Sequence, residues 1–148
     1  MTVMFDFQST SSKIQKMTKY QIIDFPYFKQ DFGETAVFEF DEKFPIKVKR
    51  VYFITGNGKR GGHAHLTENE VFVVVSGKVV AKVHDGENKA EIVLNAKNKA
   101  LFVPANVWHE FYDFSDNAVM ACFSSAHFDK SKEDYICEED EFLKQFQR

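Results

Sequence analysis

Residues 61–86 read GGHAHLTENEVFVVVSGKVVAKVHDG. Three short runs, HAHL, EVFVVV and KVVAKVH, are rich in β-branched or aromatic side chains, and SGK and HDG supply the glycines that tight turns need. The stretch predicts consecutive short strands joined by hairpins. The same pattern extends both ways: YQIIDF, TAVFEF and IKVKRVYFIT precede it, and AEIVL, ALFVP, EFYDF and AVMACFSS follow. DFGE, TGNGKRGG, HDGEN and DFSDN are the breaks. Short strands at regular spacing with almost no helix predict an all-β antiparallel sandwich or barrel. EEDEFLKQFQR differs: Phe142 and Phe146 lie one helical turn apart, acids open the run, and Lys144 and Arg148 close it. That pattern predicts a short C-terminal helix.

A chain of 148 residues suits one core, with 44% hydrophobic and 28% charged residues in the ordinary globular range. Residues 1–16, with STSSK, read as a polar N-terminal arm, and residues 17–148 as a single domain. A net charge of -3 with interspersed signs provides no broad basic field, so nucleic acid is not an expected partner. Two cysteines, Cys122 and Cys137, suggest no disulfide framework and fit a reducing compartment. No apolar run approaches membrane-spanning length, so the expectation is a cytoplasmic protein with no membrane partner. The 17 phenylalanines are the compositional anomaly. Most are expected to fill the core, and a ring lining a ligand cavity is the rarer use.

On a strand, alternate side chains share a face, so His63 and His65 enter one space and Ala64 faces away. Glu70 follows after four intervening residues, and His109 comes later in PANVWHEFYDF. Three imidazoles and a carboxylate could bind Fe, Mn, Ni or Zn with positions left open. Two imidazoles titrating near neutrality could equally move protons. The residues alone leave both chemistries open. The spacing of His63, His65, Glu70 and His109, with Gly77 after them, is similar to that of the cupin superfamily. That resemblance implies a double-stranded β-helix, a small jelly-roll barrel able to hold a ligand at its mouth.

A closer resemblance covers most of the chain, from about Tyr20 to Phe146. The run KRVYFITGNGKRGGHAHLTENEVFVVVSGKVVAKVHDG, continued by ALFVPANVWHEFYDFSDNAVM, resembles the nucleotide-sugar 3,4-ketoisomerases. These are cupins that convert dTDP-4-keto-6-deoxyglucose into its 3-keto isomer. The KRVY strand, the RGxHAH turn, the SGK hairpin and VWHEFYDFS carry the likeness. It implies a homodimer that uses the two histidines as acid/base groups, with no metal and no cofactor. His63 is then the base at C3, and His65 relays or returns the proton toward C4. Tyr52, on one strand face with Arg50 and Ile54, hydrogen-bonds the sugar oxygens or the developing enediolate. Arg60 on the glycine turn, or Arg50, clamps the diphosphate. His109 forms a third polar wall, and Trp108 and Tyr112 are core or rim aromatics completing the substrate-binding set, with one ring of the chain against thymine. The product would feed synthesis of a 3-amino-3,6-dideoxy sugar for a surface glycan such as lipopolysaccharide O-antigen.

The sequence departs from its relatives at two points. Glu70 stands where they often carry a non-ligand such as Gln, and RVYFI has one tyrosine where they often have two. Two other readings therefore stand beside the first: a metal-dependent cupin enzyme using His63, His65, Glu70 and His109 as ligands, and a non-catalytic sugar-binding cupin. The chemistry favours the isomerase on its own terms. A 4-keto group already acidifies the neighbouring C–H, and imidazole, with a pKa of about 6.5, can be base and then acid at cellular pH.

Overall fold

The computed structural model describes residues 17–147; the arm expected over residues 1–16 lies outside the described residues. The strands are β1 Gln21–Asp24, β2 Tyr27–Gln30, β3 Gly33–Ala36, β4 Arg50–Thr55, β5 Arg60–His65 and β6 Glu70–Ser76. They continue with β7 Val79–His84, β8 Lys89–Leu94, β9 Lys99–Val103, β10 Trp108–Tyr112, β11 Val119–Ser124 and β12 Tyr135–Ile136, and α1 spans Glu139–Lys144. Two antiparallel five-stranded sheets, ordered β1-β9-β6-β11-β4 and β12-β5-β10-β7-β8, form the jelly roll, and β2 and β3 make a separate hairpin.

The main core lies between the sheets and takes alternate residues from each strand. Phe72 and Val74 of β6 and Met120 and Cys122 of β11 face Val79, Ala81 and Val83 of β7 and Phe111 of β10. At the SGK hairpin, Gly77 has φ +72°, and a Cβ there would meet Ser115 Oγ at 2.3 Å. Only glycine fits that turn.

β6 is buried on both faces, which explains why EVFVVV is a continuous apolar run. Its outward residues Val71 and Val73 pack with Ala121 and Phe123 under Phe44, Ile46, Phe25 and Phe38. TAVFEF therefore behaves differently from expectation: residues 37–49 have no strand assignment and cross the outside of the sheet. Their rings form an aromatic cover, with Phe25–Phe38 and Phe40–Phe44 centroids 4.4 and 4.9 Å apart. Much of the phenylalanine excess serves this second layer.

α1 is shorter than the sequence pattern predicts and caps the outside of the other sheet. Phe142 is fully buried in a third cluster with Ala64, Trp108 and Ile136. Among the described residues no helix is long and apolar enough to cross a membrane. Truncation of Phe142 to Ala is expected to cost about 3–5 kcal/mol and lower the melting temperature by roughly 10 °C, measured by thermal unfolding.

Candidate active site

Two local devices bring the histidines together. Gly61 has φ +73°, and a Cβ there would lie 2.7 Å from the carbonyl oxygen of His109. Glycine thus lets β5 lie tight against β10, in the register that puts His63 opposite His109. Asn106, in the left-handed region at φ 62°, donates its backbone N–H to the carbonyl of His65 at 2.7 Å. The PAN turn before β10 is thereby tied to the end of β5. The His63 ring ends 4.8 Å from that of His65 and 4.7 Å from that of His109, centroid to centroid.

Glu70 enters from the centre of the opposite sheet and is almost completely buried. Its Oε1 accepts a 2.6 Å hydrogen bond from the Tyr52 hydroxyl. Its Oε2 lies 3.3 Å from His65 Nε2 and 3.4 Å from His109 Nε2. His109 Nδ1 sits 3.2 Å from the carbonyl oxygen of Val107, which leaves Nε2 as the atom turned to Glu70. Burial alone would raise the Glu70 carboxyl, but its hydrogen bonds to His109 and His65 hold it well below the usual carboxylate range. Burial, reinforced by the Glu70 charge, pushes the Tyr52 phenol far upward, so it stays a neutral donor.

The two strand histidines occupy opposite electrostatic environments. Burial, with repulsion from His109 and His65, lowers His63 to about 3. Burial also opposes charge on His65, yet its hydrogen bond to Glu70 and the charges of Glu70, Glu68 and Asp134 outweigh it and raise that group. His65 Nδ1 faces Asp134 Oδ2 at 3.4 Å and Glu68 Oε2 at 3.5 Å, within ion-pair reach but without a formed hydrogen bond. The surroundings thus push the two rings in opposite directions, His63 toward its neutral form and His65 toward its charged form.

Not every expected site residue joins this cluster. Arg50 is on the inner face of β4, 2.7 Å from Glu68 Oε1 and over the Tyr52 ring at 5.1 Å. Arg60 is exposed at the start of β5, where its guanidinium reaches the Thr55 carbonyl at 3.5 Å. Trp108 and Tyr112 alternate with His109 and Phe111 along β10, so they face away from the barrel interior. Trp108 is buried under α1 with its indole N–H on Glu110 at 3.1 Å, and Tyr112 hydrogen-bonds Glu91 on the surface. Strand alternation therefore places both outside the cluster that holds His63, His65, Glu70 and His109.

The sequence reading missed Glu68, Ser124, Asp134 and Tyr135. Ser124 donates to Glu68 Oε1. The Tyr135 ring lies 4.6 Å from His63 and 4.5 Å from His65. No motif spacing signals these residues, because β12 reaches β5 from a distant part of the chain. His63, His65, Glu70 and His109 could also hold a metal, since one ligand atom from each falls within 4.8 Å of the others. The outward bond from His109 Nδ1 to Val107 is the orientation that metal-binding imidazoles use, so the donor set fits a divalent transition metal as well as acid/base chemistry.

A family model described as FdtA: WxcM-like, C-terminal, matches residues 18–147. The TDP-4-oxo-6-deoxy-alpha-D-glucose-3,4-oxoisomerase of Aneurinibacillus thermoaerophilus is 34% identical over 127 residues, 84% of this chain and 90% of the relative. A 3,4-ketoisomerase from Helicobacter canadensis superposes with a TM-score of 0.78 at 29% identity, over 89% of this chain and all of the other. A mutant of the 3,4-ketoisomerase QdtA from Thermoanaerobacterium thermosaccharolyticum, solved with TDP-4-keto-6-deoxyglucose, gives 0.80 at 25% identity, over 88% and 96% of the two chains. With its cupin barrel, paired histidines and these matches along nearly its whole described length, the chain belongs to the FdtA-like family of sugar 3,4-ketoisomerases.

Proposed function

We propose that the protein converts dTDP-4-keto-6-deoxyglucose into a dTDP-3-keto-6-deoxyhexose, with His63 and His65 moving the protons. The observation that carries this reading is the meeting of two imidazoles, 4.8 Å apart, in opposite electrostatic environments. His63, half-buried and neutral, takes the proton from C3 of the sugar. The electron pair forms the C3–C4 double bond and the O4 enediolate. The Tyr52 hydroxyl, polarised against Glu70, hydrogen-bonds the sugar oxygens as charge develops. His65, kept charged by its carboxylates, delivers a proton to C4, the O3 proton passes to O4, and the carbonyl is left at C3. Return of the proton from His63 to His65 resets the pair, so no net proton is consumed. The negative charge that develops on the enediolate beside His63 favours its imidazolium form as the proton arrives. Arg50 is better placed than Arg60 to meet the substrate's charge, since it already lies at the rim of the cluster.

The product has a 3-keto group suited to an aminotransferase, on the way to a 3-amino-3,6-dideoxy sugar for a surface glycan. Free Cys122 and Cys137 fit work in the cytoplasm. A homodimer is the proposed assembly. β4 is an edge strand, its outward Val51 and Phe53 are exposed, and Phe40 lies exposed on the same sheet's cover. Such an apolar edge is a liability unless a second copy covers it.

The deciding experiment is NMR of the reaction of dTDP-4-keto-6-deoxyglucose in heavy water. A 3-keto product with deuterium at C4 is expected, and His63→Asn should slow turnover at least about a hundredfold. A protein that only binds sugar would leave the C3 hydrogen in place. The four-ligand geometry favours a metal-dependent enzyme as the second reading. The two readings make opposite predictions for chelation: on the isomerase reading activity should survive exhaustive chelation with metal content verified by elemental analysis, whereas loss restored by added metal would establish the second reading. Phe53→Glu should convert dimer to monomer by light scattering, and an unchanged mass would remove β4 from the interface.

A further inference from the structure

Resting on the isomerase reading, we infer that Asp134, on the strap formed by β12 and the residue before it, is a positioning residue that orients the His65 ring through Nδ1. The strap meets the end of β5 with more bonds than a two-residue strand requires. The carbonyl of Asp134 accepts the Leu66 N–H at 2.7 Å. Its carboxylate Oδ1 accepts from the Thr67 N–H at 2.9 Å and the Thr67 hydroxyl at 2.6 Å, and Oδ2 accepts from the Glu68 N–H at 3.1 Å. The next residue, Tyr135, pairs with His65 across the strands and packs its ring on both imidazoles.

These bonds fix a carboxylate, and that carboxylate faces a ring nitrogen. Oδ2 lies 3.4 Å from His65 Nδ1, and this buried nitrogen has no formed hydrogen bond of its own. Glu68 Oε2 stands 3.5 Å from the same atom, while Arg50 and Ser124 occupy the other Glu68 oxygen. With acceptors on that side, Nδ1 keeps its proton both in the charged ring and in the neutral ring left after Nε2 gives its proton up. The ring is then oriented so that Nε2 points at Glu70 and the reacting space. A carboxylate behind a catalytic imidazole sets ring orientation and tautomer without touching substrate. Asp134 thus reaches the chemistry from outside the motif that supplies the histidines.

Asp134→Asn separates this role from a structural one. The amide oxygen can keep both Thr67 bonds, while an NH2 group replaces Oδ2, gives up the Glu68 N–H bond and presents a donor to Nδ1. The expected result is a kcat lower by about 10- to 100-fold with KM within about threefold, because ground-state binding does not use this contact. The second readout needs no turnover. In [15N]histidine-labelled protein at neutral pH, assigned against His65→Asn, Nδ1 of His65 should give the shift of a protonated nitrogen in wild type and lose it in Asp134→Asn. A wild-type Nδ1 that is unprotonated overturns the inference, whether or not the variant folds. So does a folded Asp134→Asn protein with unchanged kcat or an unchanged His65 spectrum. Failure of the isomerase reading looks different: the wild type itself would form no 3-keto product.

Discussion

A carboxylate sealed between two sheets is the constraint around which this site is built. Glu70 is nearly inaccessible, and a buried charge is costly unless it is paired and hydrogen-bonded. It is met on one oxygen by the Tyr52 hydroxyl and on the other by the Nε2 atoms of His65 and His109. These partners come from β4, β5 and β10, so the charge is neutralised only when both sheets are in register. Removing one partner would leave the others around an uncompensated charge. The same bonds that reconcile Glu70 with the interior therefore fix the angles of the His65 and His109 rings.

Around that centre, acidity is graded by which charged groups each ring meets. His65 lies among Glu70, Glu68 and Asp134, whereas for His63 burial and repulsion from His109 and His65 outweigh the pull of Glu70. Neighbouring residues on one strand face are thus pushed in opposite directions without any difference in side-chain type. Glu68 belongs to the same balance. Burial raises its carboxyl, while Ser124, His65 and Arg50 draw it back. Arg50 in turn packs on the Tyr52 ring, so the charged rim and the buried floor form one continuous network.

The barrel keeps this network rigid by packing on three levels. One core fills the space between the sheets, an aromatic layer covers the outside of the β6 sheet, and α1 covers Trp108 and Ala64 on the other. Ala64 shows how the levels connect. It sits between the two histidines in sequence, yet its methyl group is buried under the helix while theirs is the reacting face. A substitution that disturbs the α1 cluster therefore acts on the backbone of the catalytic strand.

The strand grammar of residues 61–86, the hairpin at Gly77 and the shared face of His63 and His65 were legible from sequence, because they follow from local turn chemistry and the two-residue period of a strand. So was the meeting of HxH, Glu70 and His109, through the spacing of a known barrel. The same period, applied to β10, would have set Trp108 and Tyr112 opposite His109. What the sequence by itself determined was which side chains lie on one face of each strand. Only the tertiary structure decided which strands confront each other: the Phe38 segment forms a cover without strand structure, and Asp134 and Tyr135 arrive behind His65 from the C-terminal strap. Contacts between distant segments depend on sheet order and burial, and neither is written in the local periodicity of either segment.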